Sequence, residues 1–145
     1  MIAFAILKPV VALAAWTMVM WAWMYATRLP AVSAAKINTD DLVRIPGQSL
    51  DILLPPQVQW KAHNYNHLHE APTVFYAICL LLAMIGDGGD KGAIVAWAYV
   101  GLRVAHSLVQ VTINQVMVRF VLFGLSSLCL MVLIGRAAQV LFFPG

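Results

Sequence analysis

The second apolar segment of this chain opens with the polar run Lys61-Ala62-His63-Asn64-Tyr65-Asn66-His67-Leu68-His69-Glu70 and continues through Pro72 into the apolar residues 73–85. The run holds three histidines, two asparagines and a glutamate. Such groups are costly inside a bilayer, and they generally face the interior of a helix bundle or a water-filled cavity. The run therefore predicts a membrane helix that carries a polar site at one end.

The composition of the whole chain is that of a membrane protein. Of its 145 residues, 62% are hydrophobic and 10% are charged, and the mean hydropathy is +0.83. A soluble domain is about 45–50% apolar and about 25% charged. The net charge of +3 is too small to indicate a nucleic-acid partner. Cys79 and Cys129 lie in separate apolar segments without CxxC spacing, which indicates two buried thiols.

Four apolar segments are long enough to cross a bilayer as helices, which takes about 20 residues each. They cover roughly residues 2–26, 58–85, 92–113 and 118–143. Residues 1–145 are therefore expected to form one all-α transmembrane domain, a four-helix bundle in contact with membrane lipid.

The loop between the first two segments sets the predicted topology. Pro30 is expected to end the first helix. The basic residues of this loop, with one just past its end, are Arg28, Lys36, Arg44 and Lys61. The turn between segments two and three offers only Lys91. The positive-inside rule then places the long loop and the 114–115 turn in the cytoplasm, although Lys8 and Arg136 argue mildly against this orientation.

Polar residues recur at helical spacing in two of the segments. In the third segment, positions separated by 4, 3, 4 and 4 fall on one helix face, and they hold Tyr99, Arg103, His106, Gln110 and Asn114. In the second segment, separations of 3, 4 and 3 define another face, with His63, Asn66, Glu70 and Thr73. Arg119 opens the fourth segment on the same side. Three helices are thus expected to direct polar side chains into one half of the bundle, with Asn64 and His69 at its surface.

Glu70 and Arg103 are predicted to lie at the same depth in the bilayer. Glu70 follows Lys61 by nine residues, and Arg103 precedes Asn114 by eleven. At about 1.5 Å per residue, both lie about 14–17 Å along their helices. A carboxylate and a guanidinium at matching depth are natural partners. An ion pair that only fixes helix register is the alternative interpretation.

A metal site is not expected. His63, His67 and Glu70 have the spacing that can bring ligands to one helix face. The HExxH motif is absent, however, and much of this stretch is expected near the lipid headgroups, where histidines need no special explanation. His63 and His106 are equally consistent with histidines of the bundle core.

The arrangement as a whole resembles the MAPEG family, the membrane-associated proteins of eicosanoid and glutathione metabolism. The family includes the microsomal glutathione transferases and the prostaglandin and leukotriene synthases. The resemblance rests on four spans, a long first loop, the stretch 66–76, Arg103-Val104-Ala105-His106-Ser107 and Arg119. It covers essentially the whole chain, and residues 66–76 most resemble the bacterial branch of the family.

The resemblance implies a homotrimer of four-helix protomers in a bacterial inner membrane, with glutathione bound between protomers towards the cytoplasm. It gives Arg119 a catalytic role, the stabilisation of the glutathione thiolate. It implies that glutathione is held by Asn66, His67, Glu70, Arg103, His106 and Gln110. A guanidinium binds a carboxylate through two hydrogen bonds, and beside sulfur it favours the thiolate. The implied reaction conjugates or reduces lipophilic electrophiles.

Several positions depart from the enzymes of the family. With Glu70 as the anchor, His67 stands where those enzymes have asparagine, because Asn66 is four residues from Glu70 rather than three. Gln110 and Phe123 stand where those enzymes have tyrosines, so two aromatic hydroxyls are missing.

Two alternative functions remain open, and the missing tyrosines support the first of them. The first is a non-catalytic structural or accessory subunit, associated with a larger membrane complex. The second is a proton or ion path, formed by His63, His67, Glu70 and Arg103.

Overall fold

The computed structural model describes residues 2–143, and the regular elements in this range are all α-helices. They are α1 (Leu7–Ala34), α2 (Asp41–Arg44), α3 (Leu50–Leu53), α4 (Pro56–His67), α5 (Ala71–Met84), α6 (Asp90–Thr112) and α7 (Val116–Phe142). Four segments of the described range are long and apolar enough to cross a membrane: α1, α4 with α5, α6, and α7. The predicted all-α four-helix membrane architecture is confirmed.

The first helix is longer than predicted. It continues through Pro30 to Ala34, so the expectation that Pro30 ends it is wrong. A proline removes one backbone donor, and membrane helices tolerate that loss when neighbouring groups compensate for it. The helix ends instead at Ala34, and Lys36, just beyond it, has φ of 51° and donates its N–H to the Ser33 carbonyl at 3.1 Å. This left-handed conformation is a common way for a helix to end.

The second predicted segment is interrupted. Helix α4 ends at His67 and α5 begins at Ala71, so the expectation of an unbroken helix over residues 58–85 is wrong. Pro72 explains the break, because it has no N–H to bond the Leu68 carbonyl and because proline disfavours helical geometry in the residue before it. The consequence is that the His67 carbonyl can accept a hydrogen bond from outside its own helix.

The helices pack around one apolar core. α6 and α7 form the most extensive helix contact, and α1 packs against α4, α5 and α6. Leu13, Met20 and Leu133 are fully buried there. Phe75 of α5 stacks on Tyr99 of α6, with ring centroids 4.3 Å apart and an angle of 10° between the planes. This stacking connects α5 to α6 within the core.

A three-residue turn joins α6 to α7. Asn114 in this turn has φ of 49°, a left-handed conformation that asparagine adopts more readily than most residues. Its backbone N–H donates to the Val109 carbonyl at 2.7 Å and closes the end of α6. The first turn of α7 therefore starts beside the last turns of α6.

Candidate functional site

A cavity of about 320 Å³ lies at the α4–α5 break, between α6 and α7. Its lining residues are His67, Glu70, Ala71, Arg103, His106, Val116, Arg119, Phe120 and Phe123. Five of the seven residues that the sequence nominated for a site line this cavity: His67, Glu70, Arg103, His106 and Arg119. Elements far apart in the sequence thus bring their polar groups to one space.

Arg103 forms the inner wall of the cavity. Its side chain projects from the middle of α6 and is only 2% exposed. Its Nη2 donates to the carbonyl of His67 at 3.0 Å, the acceptor that the helix break makes available. Among the described residues, no salt bridge joins Arg103 to Glu70, so the predicted ion pair does not form, although both side chains line the cavity. The hydrogen bond from Arg103 to the His67 carbonyl ties α6 to the end of α4.

Glu70 pairs with His67 rather than with Arg103. Its Oε2 lies 2.9 Å from Nδ1 of His67, and both side chains are partly exposed. The ring of His67 also meets the ring of His106 edge to face, with centroids 6.4 Å apart and an angle of 85° between the planes. His106 itself is buried on α6. A carboxylate and two imidazoles therefore share one side of the cavity.

Arg119 approaches the cavity from the first turn of α7. Its Nη1 donates to Oδ1 of Asn114 at 2.6 Å. The guanidinium is half-buried, and its Nε has no hydrogen-bond partner among the residues that the structure describes. The same is true of Nε and Nη1 of the buried Arg103. Both guanidinium groups thus present donors for which no residue in 2–143 supplies an acceptor.

The cavity excludes several residues that the sequence placed on its face. Asn66 is exposed, and Gln110 is buried but does not line the cavity. His63 turns towards α3, with its Nε2 3.6 Å from Oδ1 of Asp51. The expectation that Asn64 lies at the surface is wrong, since Asn64 is fully buried. The helix break explains the differences in α4, because the α4 face does not continue into Glu70.

The outer wall of the cavity is apolar, and sequence reasoning identified only part of it. Val116, Phe120 and Phe123 lie on one face of α7, separated by four and three positions. Val116 is 75% exposed and Phe120 is 69% exposed. Their helical spacing from Arg119 is the sequence signal that could have identified them as cavity-lining residues. The cavity is thus polar on its inner side and apolar where it opens.

The chemistry of the cavity suits a small zwitterion with excess negative charge. Two guanidinium groups face one carboxylate, and a positive surplus in a recessed site attracts anions. Within residues 2–143, no group of three or more His, Cys, Asp or Glu side chains is placed to hold a metal ion.

Comparison with known proteins gives one match. The model of the MAPEG family matches residues 6–139 of the 145-residue chain, a range that includes every residue lining the cavity. No curated protein and no solved structure matches the chain significantly. Because the family match extends over nearly all of a chain with four membrane-spanning segments, this integral membrane protein belongs to the MAPEG family.

Proposed function

We propose that the protein is a membrane-bound, glutathione-dependent transferase or peroxidase that acts on lipophilic electrophiles. Membership of the family supports a glutathione-related activity. The observation that carries the proposal is the cavity, in which Arg103, Arg119 and Glu70 surround one space that is apolar at its opening.

The charges of the cavity complement those of glutathione. This tripeptide carries two carboxylates, one amine and one thiol. The guanidinium of Arg103, which lines the cavity, supplies a positive charge that attracts a carboxylate. The carboxylate of Glu70 suits the amine. It has two oxygens and about four acceptor sites, so it can bind an amine while bonded to His67.

Arg119 is the residue to which the proposal assigns thiolate stabilisation. A free thiol has a pKa of about 8.5, so at neutral pH most of it is protonated. A guanidinium next to the sulfur favours the charged form. Asn114 holds Arg119 at the cavity, and Phe120 and Phe123 provide an apolar surface beside it for the electrophile. The thiolate and the lipophilic substrate would then meet within one space.

The proposal extends to assembly and location. Proteins of this family are generally trimeric, and the apolar rim formed by Val116 and Phe120 is exposed on the single chain. We infer a homotrimer in which a neighbouring protomer covers this rim. The basic loop after α1 supports a cytoplasmic position for the cavity in a bacterial inner membrane. Mass measurement of the protein in detergent tests the trimer.

The decisive experiment follows the ultraviolet absorbance of the thiolate while glutathione is added to the purified protein. The wild type should show the band. Arg119→Gln should lose it, while Arg119→Lys, which keeps a positive charge, should retain part of it. Arg136→Gln is the matched control, because Arg136 lies on the same helix but pairs with Asp87 at 2.6 Å, outside the cavity. Absence of the band in the wild type would overturn the proposal.

A second candidate function is that of a non-catalytic accessory subunit. The observation that favours it is Phe123, which lines the cavity without the hydroxyl found at this position in the enzymes that the chain resembles. Co-purification with a larger membrane complex, together with no thermal stabilisation by glutathione, would support this alternative.

A further inference from the structure

His67 and Glu70 form a carboxylate–imidazole dyad at the cavity wall. Glu70 Oε2 lies 2.9 Å from Nδ1 of His67, and both residues line the cavity. An imidazole whose Nδ1–H donates to a carboxylate has its acceptor lone pair on Nε2. Such an arrangement orients the ring and stabilises it when Nε2 gains a proton.

The backbone and the ring of His67 are held in place by α6. Arg103 Nη2 donates to the His67 carbonyl at 3.0 Å, and His106 contacts the imidazole edge to face. Both anchoring residues are buried. The dyad is therefore fixed relative to Arg119, which lines the same cavity from α7.

We propose that His67 is the general base of the reaction, a proposal that rests on the glutathione-dependent activity put forward above. The S–H bond of the bound thiol breaks, its electron pair stays on sulfur, and the proton moves to Nε2 of His67. Glu70 is a positioning residue that stabilises the resulting imidazolium, while Arg119 stabilises the thiolate. When sulfur bonds to the electrophile, the imidazolium gives its proton to the leaving group or to the anionic adduct.

The charges that face His67 make this transfer reasonable. Arg103, Arg119 and Glu70 line the cavity with His67, and the thiolate formed by the transfer adds a negative charge beside them. His106, the other titratable group of the cavity, faces the same ring from α6. The transfer converts a neutral pair into an ion pair, so the net charge of the site does not change. Asparagine, the residue at this position in the enzymes that the chain resembles, cannot accept the proton.

The test measures thiolate and released protons together. Glutathione is mixed with the detergent-solubilised protein at neutral pH in weak buffer that contains an indicator dye. S-methylglutathione, which has no thiol proton, gives the background to subtract. The wild type should form thiolate while releasing well under one proton per thiolate, because His67 retains the proton. His67→Asn should release one full proton for each thiolate that it still forms.

Three further variants sharpen the result. His69→Asn is the matched control, because His69 is exposed, bonds the Tyr65 carbonyl through Nδ1 at 2.8 Å and does not line the cavity. It should behave as the wild type. Glu70→Gln should raise proton release towards that of His67→Asn, a change that simple loss of binding would not produce. His106→Asn should leave release low, and full release from this variant alone would assign the base to His106.

The outcomes separate this inference from the proposed function. A wild type that releases one proton per thiolate overturns the role of His67 while leaving the thiolate mechanism in place. A wild type that forms no thiolate overturns both. The wild-type measurement decides the matter even if His67→Asn fails to fold, and His67→Gln then provides the second variant.

Discussion

Nη1 of Arg119 donates to Oδ1 of Asn114 across 2.6 Å, so the turn before α7 positions the guanidinium. Asn114 has two roles in this turn. Its left-handed backbone, with φ of 49°, lets the chain reverse direction, and its side chain accepts the bond from Arg119. Glycine could take the first role but not the second.

This separation of roles gives the first prediction. Asn114→Gly should preserve the turn but weaken thiolate formation by about tenfold, since a hydrogen bond to a charged group contributes about 1.5–3 kcal/mol. Asn114→Asp, which keeps an acceptor and tolerates the same backbone, should still hold Arg119 in place but should also weaken thiolate formation, because its negative charge offsets that of the guanidinium. Glutathione titration followed by thiolate absorbance measures both variants. Equal titrations for Asn114→Gly and the wild type would show that the bond does not position Arg119.

A second prediction concerns the bond between Arg103 and the helix break. Arg103→Met keeps much of the side-chain volume but removes this bond, so that the His67 carbonyl keeps only the longer bond from the Glu70 N–H, at 3.4 Å. We expect a loss of stability of about 1.5–3 kcal/mol, the usual contribution of a hydrogen bond to a charged group. Amide hydrogen exchange should quicken around residues 67–71. Arg44→Met, at an exposed position in α2, is the control and should change neither quantity.

The sequence predicted the buried polar face of α6 correctly, but it did not predict the corresponding face of the second segment. Arg103, His106 and Gln110 are all buried along one unbroken helix, in which residues three and four positions apart lie on the same face. In the second segment, the three residues between α4 and α5 interrupt the helical phase. Spacing counted through them therefore misplaced Asn64 and Asn66.

The contacts within the cavity were harder to foresee than the residues that form it. Arg119 could be nominated from its position and charge, but its partner depends on the left-handed conformation of Asn114. The hydrogen bond between Glu70 and His67 likewise depends on where the chain points after α4 ends. Each contact follows from local backbone geometry, which helical periodicity does not describe.

A third prediction tests the missing aromatic hydroxyls. Phe123→Tyr adds a hydroxyl at the cavity wall, one helical turn beyond Arg119, where it can donate to a thiolate. If the protein is an enzyme, conjugation should speed up by about tenfold, in line with a hydrogen bond to a charged acceptor. Phe142→Tyr, at the exposed end of α7, should have no effect. Unchanged turnover in Phe123→Tyr would show that a hydroxyl at this position does not reach the thiolate, whereas no turnover in either protein would favour the accessory-subunit alternative.

A tyrosine at position 110, the other position where the hydroxyl is missing, should not raise the rate. Gln110 is buried in the bundle and does not line the cavity. Gln110→Tyr is therefore expected to overpack the core and to destabilise the protein by about 1–3 kcal/mol, without a gain in rate. Thermal unfolding in detergent, measured beside conjugation of an electrophile, checks both parts. A stable and faster Gln110→Tyr variant would show that this position reaches the substrate.

The fifth prediction concerns the opposite end of the bundle, at the turn between α5 and α6. A Cβ added at Gly88 would overlap the side chain of Ile6, which is fully buried and has little room to move. A Cβ added at the adjacent Gly89 would meet nothing within 4 Å. Gly89 also precedes α6 with an extended backbone, the N-cap position that serine favours.

Serine at these two neighbouring positions should therefore have opposite effects. Gly88→Ser should lower the unfolding free energy by about 1–3 kcal/mol through overpacking, whereas Gly89→Ser should be neutral or slightly stabilising. Melting in detergent measures both variants, and thiolate formation per folded molecule should be unchanged because the cavity lies at the other end of α6. Equal melting temperatures for the two variants would mean that Ile6 moves aside, and that α1 is not locked against this turn.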